Sequence, residues 1–292
     1  IMGGGSLAIA KHMANLVDKV RYIARIGDKS KLINDEILKD LNRAIKPELI
    51  EEKDIFSVTK TRYIASGYSN PLSAKLKNNS ENTDNRLFEI SHLPEKIDNN
   101  IEKQIISLLE KDFSNTDLIV VSDFGHGLIT KEIIRYISSL NKFIALNVQT
   151  NSSNFGFNLI TKYPRADFIC IDEVEARLAL GDRNTDIDLI AEEILNLIKC
   201  KKLMITRGKQ GLNYYSDGKK VSAPALSGNV IDAVGAGDAV FSGAALCAYY
   251  DLEMESTALL SSMMGMIGTK IVGNERSIEL HEIIGNLRGF VK

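Results

Sequence analysis

The sequence predicts an α/β protein in which helices cover a mostly parallel sheet, and two features of the chain support this class. Short apolar runs alternate with longer segments of helical periodicity. These apolar runs have no polar face, which is typical of strands buried on both sides of a sheet. The predicted strands are Leu118–Ser122, Phe143–Val148, Phe168–Ile171 and Leu203–Thr206, and the predicted helices among them are Lys131–Leu140, Glu173–Leu180 and Asp186–Ile198.

The stretch from Asp54 to His92 departs from this alternation. It is polar and poor in helix formers, and two strand-like pieces, Ser57–Ser66 and Arg86–Ser91, flank a segment rich in serine and asparagine, Asn78–Asn85. Turn-forming polar residues between two such pieces predict a small β flap with a connecting loop.

Composition indicates an ordinary globular protein. The chain has 292 residues, of which 44% are hydrophobic and 25% are charged, so it is long enough to bury a large core. Its formal charge of −2 predicts neither a nucleic acid nor an anionic membrane as partner. The three cysteines have no C-x-x-C spacing, which indicates reduced thiols in a cytoplasmic protein.

The segment Ile231–Ala244 combines a turn of small residues with the start of an apolar helix. Glycines at 235 and 237 let the backbone approach a ligand closely, and the first amides of a helix attract an anion. Asp238 then lies in the first turn, where it can accept a proton from a hydroxyl held near that anion. The residues alone therefore predict an anion site with a base beside it, although an acidic residue at a helix start also favours the helix dipole.

This segment, IDAVGAGDAVFSGA, resembles the D-T-x-G-A-G-D signature of the ribokinase-like, phosphofructokinase-B (pfkB) carbohydrate kinases, with Ala233 where threonine is usual. The resemblance covers nearly the whole chain and is closest to the heptose-phosphate kinase (ADP-heptose synthase) branch and to sugar-kinase modules fused to nucleotidyltransferases. It implies a single domain over residues 1–292, a three-layer α/β/α sandwich with a β lid at residues 54–92. It also implies ATP- and Mg²⁺-dependent phosphorylation of a sugar or sugar phosphate, with Asp238 as base and Gly235, Ala236 and Gly237 as the anion hole.

Three further segments resemble the nucleotide half of that family. Asp172–Glu175 resembles its N-x-x-E element, so Glu175 is expected to hold Mg²⁺ through water. Asp172 can equally be a helix cap, and both interpretations can hold together. A second segment resembles the T-x-G-x-x-G turn, and a methionine-rich helix lies where the family flanks adenine, although core packing explains that helix equally well. The nucleotide-binding residues implied are Thr206, Arg207, Gly208, Gly211, Ser261 and Met264.

The substrate half departs from the family pattern. Gly3–Ala10 matches the G-G-x-x-N-x-A segment, so Gly4 and Gly5 are expected to contact substrate, but Ala8 replaces the usual asparagine. The family places a first core strand and a sugar-binding aspartate before this segment. Because neither is found in the sequence, we expect either a fragment of a longer polypeptide or a decayed kinase, and we favour the fragment.

Two other places are expected to contact the substrate. The turn Val121–Gly127 resembles an S-D-Y-G-K-G element with His126 in the lysine position, so Asp123 is expected to bind sugar or metal at a strand end. Lys60 and Arg62 on the flap are candidates for binding a substrate phosphate. Amides in Asn147–Asn151 stand where the branch has a charged D-P-K-like element, which favours a substrate other than heptose 7-phosphate.

Two other functions stay open from the sequence. One is a nucleoside kinase on the same fold, and the other is a catalytically impaired module for nucleotide binding or dimerisation. The resemblance further implies a homodimer formed through the lid, and a fused nucleotidyltransferase in the native polypeptide.

Overall fold

The computed structural model describes residues 1–39, 41–65, 85–93, 97–226 and 230–290. Its strands are β1 (Val20–Gly27), β2 (Ile45–Glu52), β3 (Thr59–Ala65), β4 (Asn85–His92), β5 (Leu118–Asp123), β6 (Phe143–Val148), β7 (Phe168–Asp172), β8 (Lys202–Thr206), β9 (Leu212–Ser216) and β10 (Lys219–Ala223). Its helices are α1 (Gly5–Ala14), α2 (Lys31–Leu38), α3 (Asn99–Glu110), α4 (Lys131–Ser139), α5 (Glu173–Leu180), α6 (Ile187–Leu197), α7 (Ala236–Tyr249), α8 (Met254–Gly268) and α9 (Leu280–Phe290).

The central sheet has six strands in the order β10-β9-β8-β7-β6-β5. Strands β5 to β8 are parallel, whereas β9 and β10 add on in antiparallel fashion. The predicted mostly parallel sheet is therefore confirmed, and the four predicted strands lie within one residue of their observed ends. Because parallel strands end at a common edge, the residues that follow β5, β6 and β7 meet there.

Alternate residues of the central strands enter two separate cores. Leu146, Ile169 and Ile205 pack on one face with helices α3 to α6. Ala145 and Phe168 pack on the other face with α1, α7 and α8. This period-2 division between two layers of helices produces the α/β/α sandwich.

Strands β1 and β2 form a parallel pair that is separate from the six-stranded sheet within the described residues. A cavity of about 1340 Å³ lies between this pair and β5. Val20, Tyr22 and Ala24 line one side of the cavity, and Ile119 and Val121 line the other. The same cavity extends to the start of α1 and to the start of α7.

The predicted flap is an antiparallel pair, β3 and β4. Tyr63 and Phe88 stack across it with ring centroids 4.4 Å apart. The predicted Ser/Asn-rich segment lies outside the described residues, apart from its last residue, Asn85.

The three cysteines are free and buried, as predicted from their spacing. Within the described ranges, we find no helix of the length and apolarity that crossing a membrane requires.

Candidate active site

Asp238 lies at the N-terminal end of α7, where a tight turn enters the helix. Gly235 is the N-cap with φ of +85°, a conformation that favours glycine, and a Cβ atom built there would lie 2.5 Å from Asn274 Oδ1. Asp232 stabilises the turn, because its carboxylate accepts hydrogen bonds from the Val234 amide at 2.9 Å and the Gly273 amide at 2.8 Å. The backbone conformation of this turn and the contact with Asn274 therefore require glycine at position 235.

The Asp238 carboxylate is buried, with 7% of the residue exposed. Its Oδ1 atom accepts a hydrogen bond of 2.8 Å from Gln149 Nε2. Burial raises the pKa of Asp238 to about 6, and the Gln149 hydrogen bond opposes that rise. The carboxylate is thus ionised at neutral pH and is a stronger base than an exposed aspartate.

The second carboxylate oxygen, Oδ2, faces the start of α1. A Cβ atom built on Gly5 would lie 2.6 Å from Asp238 Oδ2 and 2.5 Å from Phe124 Cζ. Any side chain at position 5 would therefore collide with the carboxylate and the ring. The structure brings Gly5 and Asp238 together, and the expected contact of Gly5 with substrate stays a prediction.

Helices α1 and α7 begin close to one another. Asn274 Nδ2 donates a 3.2 Å hydrogen bond to Gly3 O, and the same side chain flanks Gly235. The amides of Ala236 and Gly237 occupy the first turn of α7, where helix amides have no intrahelical acceptor. Both helix starts are positive, so their electrostatic potential favours an anion at this place.

Asp123 ends β5 and lines the same cavity, but its carboxylate is already bonded within the protein. Oδ1 accepts from the Gly125 amide at 2.9 Å, and Oδ2 accepts from Tyr163 Oη at 2.7 Å and from Lys162 Nζ at 2.5 Å. Asp123 therefore stabilises the turn after β5, and its expected role in binding sugar or metal stays a prediction, in which the ligand would compete for these oxygens.

An asparagine-rich loop after β6 fixes the position of Phe124. Asn151 and Asn154 both donate to Phe124 O at 2.8 Å, and Asn158 donates to Asp123 O at 2.9 Å. The sequence placed Asn147–Asn151 at the substrate element, but it gave no role to Asn154 or Asn158. The signal was present, since the loop follows a central strand at the edge where open α/β sheets bind ligands.

The antiparallel pair of β3 and β4 supplies two cations to the cavity wall, Lys60 and Arg62. Both are paired with Glu89, at 3.9 Å for Lys60 Nζ and 2.9 Å for Arg62 Nε. Lys60 also faces His126, whose pKa is lowered by burial and by this cation. His126 Nε2 is buried without a hydrogen-bond partner among the described residues.

Glu175 belongs to a capping box at the start of α5. Its carboxylate accepts from the Asp172 and Thr150 amides, each at 2.9 Å, while Asp172 accepts from the Glu175 amide at 2.7 Å. The capping interpretation of Asp172 is therefore confirmed. Burial and the adjacent Asp172 carboxylate raise the pKa of Glu175 to about 7. A divalent cation would favour the ionised form of both carboxylates, and the expected Mg²⁺ contact of Glu175 through water stays a prediction.

The turn between β8 and β9 contains the other predicted nucleotide residues. Gly208 and Gly211 have φ of +54° and +88°, and Thr206 is half-buried at the end of β8. Arg207 is paired with Glu173 at 2.8 Å, so its charge is already partly neutralised. The turn lies at the same strand edge as Glu175, because Asp172 and Thr206 are register partners.

Ser261 and Met264 require a correction. Both are buried within α8, at 0% and 2% exposure, and the Ser261 hydroxyl donates to Thr257 O at 2.6 Å. Met264 packs against Gly243 of α7, where an added Cβ atom would lie 2.9 Å from Met264 Cγ. We therefore exclude both residues from the nucleotide site, in favour of the core-packing interpretation.

Comparison with known proteins agrees with this geometry. The family model described as pfkB family carbohydrate kinase matches residues 95–270, which is more than half of the chain. The chain belongs to the pfkB family of carbohydrate kinases. It is therefore a phosphotransferase by family.

Two curated relatives extend the pfkB comparison. The chain is 27% identical to the bifunctional protein HldE of Campylobacter fetus over 93% of this chain and 55% of that protein. It is 26% identical to HldE of Syntrophotalea carbinolica over 65% of this chain and 39% of that protein. The chain thus spans about half or less of the length of these curated relatives.

The fold is shared with two solved kinases. Ribokinase from Thermotoga maritima superposes with a TM-score of 0.70 at 16% identity, covering 98% of this chain and 87% of that one. Phosphofructokinase-2 from Escherichia coli gives 0.74 at 13% identity, covering 99% and 88%. The ribokinase-like fold predicted from the sequence is confirmed.

Proposed function

We propose that this pfkB kinase transfers the γ-phosphoryl group of ATP to a hydroxyl of a sugar or sugar phosphate, with Asp238 as general base. The observation that carries the proposal is the place of Asp238, a buried carboxylate in the first turn of α7 beside amides that have no acceptor within the helix. Its raised pKa, about 6, suits a base that works near neutral pH.

The acceptor hydroxyl binds at Asp238 Oδ2, from the cavity that Asp238 and Gly5 both line. The hydroxyl proton moves to Oδ2 while the hydroxyl oxygen attacks the γ-phosphorus and the bond to the ADP oxygen breaks. The amides of Gly235, Ala236 and Gly237 stabilise the negative charge on the transferring group. Phosphoryl transfer depends mostly on such alignment and charge stabilisation.

The nucleotide is assigned to the edge formed by Glu175 and the Thr206–Gly211 turn. Bound Mg²⁺ would neutralise part of the phosphate charge. Glu175, beside Asp172, is the residue that would hold this ion, through water. Gly208 and Gly211 carry no side chains, so the turn leaves room for a nucleotide beside it. Arg207 contributes positive charge that it shares with Glu173.

The acceptor class rests on the lid and on the start of α1. Lys60 and Arg62 line the cavity and provide cations suited to a substrate phosphate, while Gly4 and Gly5 provide a wall without side chains. When substrate binds, Lys60 and Arg62 must each break the ion pair with Glu89 and form one with the phosphate. The predicted lid-mediated homodimer and the fused nucleotidyltransferase stay predictions.

A transfer assay with a panel of acceptors tests the proposal. The full polypeptide is incubated with Mg²⁺-ATP and with sugars, sugar phosphates and adenosine, and phosphorylated products are measured. We expect a sugar or sugar phosphate to react and the Asp238→Asn variant to retain less than about a tenth of the rate. The Asp35→Asn variant, at an exposed position of α2, is the matched control.

Three results would contradict the proposal. Preferred reaction with adenosine would indicate a nucleoside kinase. ATP binding measured by calorimetry, without transfer to any acceptor, would indicate an impaired binding module. A rate above about a tenth in Asp238→Asn would show that Asp238 is not the base.

A further inference from the structure

We infer that Gln149 is a positioning residue for Asp238, acting as the last member of a chain of amides anchored on the backbone of β7. The inference rests on the role proposed above for Asp238 and adds a residue that the proposed mechanism does not use. The chain runs from Cys170 O through Asn147 and Gln149 to Asp238 Oδ1.

The direction of every hydrogen bond in this chain follows from its anchored end. Cys170 O can only accept, so the group of Asn147 that faces it at 2.8 Å is the donating Nδ2. Asn147 Oδ1 must then face Gln149 and accept from its Nε2 at 2.9 Å. The Gln149 amide uses its second N–H on Asp238 Oδ1 at 2.8 Å.

Both protons of the Gln149 amide are thus committed, and an amide flip would place its oxygen against two acceptors. Asn147 is 5% exposed, and its side chain bonds directly across to β7, so it has no room to rotate. Gln149 consequently holds one oxygen of the Asp238 carboxylate, while the other, Oδ2, lies beside the Gly5 backbone, and both residues line the cavity. Holding Oδ1 reserves Oδ2 for the acceptor hydroxyl and fixes the orientation of the carboxylate.

The other titratable groups that interact with Asp238 are Glu175 of α5 and Cys170 of β7. Neither explains the fixed orientation, since neither donates a hydrogen bond to Asp238. Gln149 is the group whose hydrogen bond favours the ionised carboxylate against the effect of burial.

Removing the donor while keeping the side-chain length isolates the role of Gln149. In Gln149→Met we expect the pKa of Asp238, followed by ¹³C NMR of the carboxyl carbon in the substrate-free protein, to rise by about one unit. The signal is assigned by its loss in Asp238→Asn. Repeating the titration in the Glu175→Gln background removes a carboxylate that interacts with Asp238, and the rise must persist there.

The kinetic expectation for Gln149→Met is a fall in kcat of about tenfold with KM for ATP within about twofold, and an acid limb of the pH profile moved upward with the NMR pKa. In Gln149→Lys, a donor is restored and the pKa of Asp238 falls below that of the wild type. Gln104→Met, at an exposed position of α3, is the matched control and changes neither quantity.

The results separate the two claims. If Gln149→Met folds with an unchanged Asp238 pKa and unchanged kcat, the positioning role is wrong, whereas a rate retained in Asp238→Asn overturns the proposed base itself. If Gln149→Met fails to fold, the pKa of Asp238 in Gln149→Lys is the deciding measurement. A lowered pKa supports the contact between residue 149 and Asp238, and an unchanged pKa overturns it.

Discussion

At the scale of single residues, the candidate site depends on what surrounds one carboxylate. Asp238 is ionised at neutral pH yet buried, and its two oxygens have different neighbours: an amide donor on Oδ1 and the closely packed Gly5 backbone beside Oδ2. The G-x-G-D motif alone predicts neither the burial of this carboxylate nor the neighbours of its two oxygens. Both come from residues far away in sequence, Gln149 and Gly5.

Adding a methyl group at Gly5 tests whether phosphoryl transfer depends on the close approach of the Gly5 backbone to Asp238 Oδ2. In Gly5→Ala the new Cβ atom meets Asp238 Oδ2 and Phe124, so we expect kcat/KM for the acceptor to fall by about 100-fold. Gly4→Ala is the matched variant, because a Cβ atom built there has no neighbour within 4 Å, and its effect should be at least about tenfold smaller. Equal losses in steady-state kinetics would show that the space at Gly5 has no special role.

His12 gives a prediction about stability rather than activity. Burial and the nearby Arg276 lower its pKa to about 4, and its Nδ1 accepts from the Ile278 amide at 3.0 Å. The unfolded chain binds a proton near pH 6.5 while the folded protein does not, so the stabilisation is complete above about pH 6.5 and is lost as pH falls towards 4.

Urea denaturation at pH 7 and pH 4.5 measures this effect. We expect the free energy of unfolding to drop by about 2 kcal/mol more in the wild type than in His12→Gln, whose amide stays neutral. An equal pH dependence in both proteins would show that His12 titrates normally in the folded state.

At the scale of elements, the turn between β8 and β9 holds the proposed nucleotide edge in place. Gly208 and Gly211 both have positive φ, but only Gly211 also lies against backbone, where an added Cβ atom would be 2.0 Å from Ala223 O. Alanine at position 208 therefore tests conformational strain alone, whereas alanine at position 211 tests strain together with a steric clash.

Alanine substitutions at both positions measure the difference. Gly208→Ala should cost about 1 kcal/mol of stability, the usual cost of a left-handed residue with a side chain. Gly211→Ala should cost more than about 3 kcal/mol, because β10 must also move away. Thermal unfolding checks both, and equal costs would mean that the turn moves away from Ala223 without resistance.

Local patterns predicted these elements well where one physical cause dominates. Phe143–Val148 and Glu173–Leu180 were predicted with their observed ends, since a buried strand and a capped amphipathic helix carry strong local signals. Ser261 and Met264 were placed wrongly in a ligand site, because a helix that is apolar on several faces does not indicate which neighbour it contacts.

At the scale of the whole molecule, the sheet topology brings the site together. Gly5, Gln149 and Asp238 lie 233 positions apart at their extremes (238 − 5) and meet because α1, β6 and α7 share one edge of the sheet. The sequence predicted Gly5 and Asp238 through a family resemblance. It placed Gln149 in the Asn147–Asn151 segment without predicting its contact with Asp238, and it missed Asn274, since only packing decides the partner of a neutral amide.

The pH dependence of phosphoryl transfer tests the role of Asp238 most directly. Because the active form of the base is ionised and burial raises the pKa of Asp238 to about 6, we expect kcat/KM to rise about tenfold per pH unit below that value and to level off above it. In Asp238→Asn we expect this acid limb to be absent and the rate at pH 7.5 to be less than about a tenth of the wild-type rate. A flat wild-type profile between pH 5 and 7, or an Asp238→Asn variant that keeps both the rate and the limb, would contradict the account.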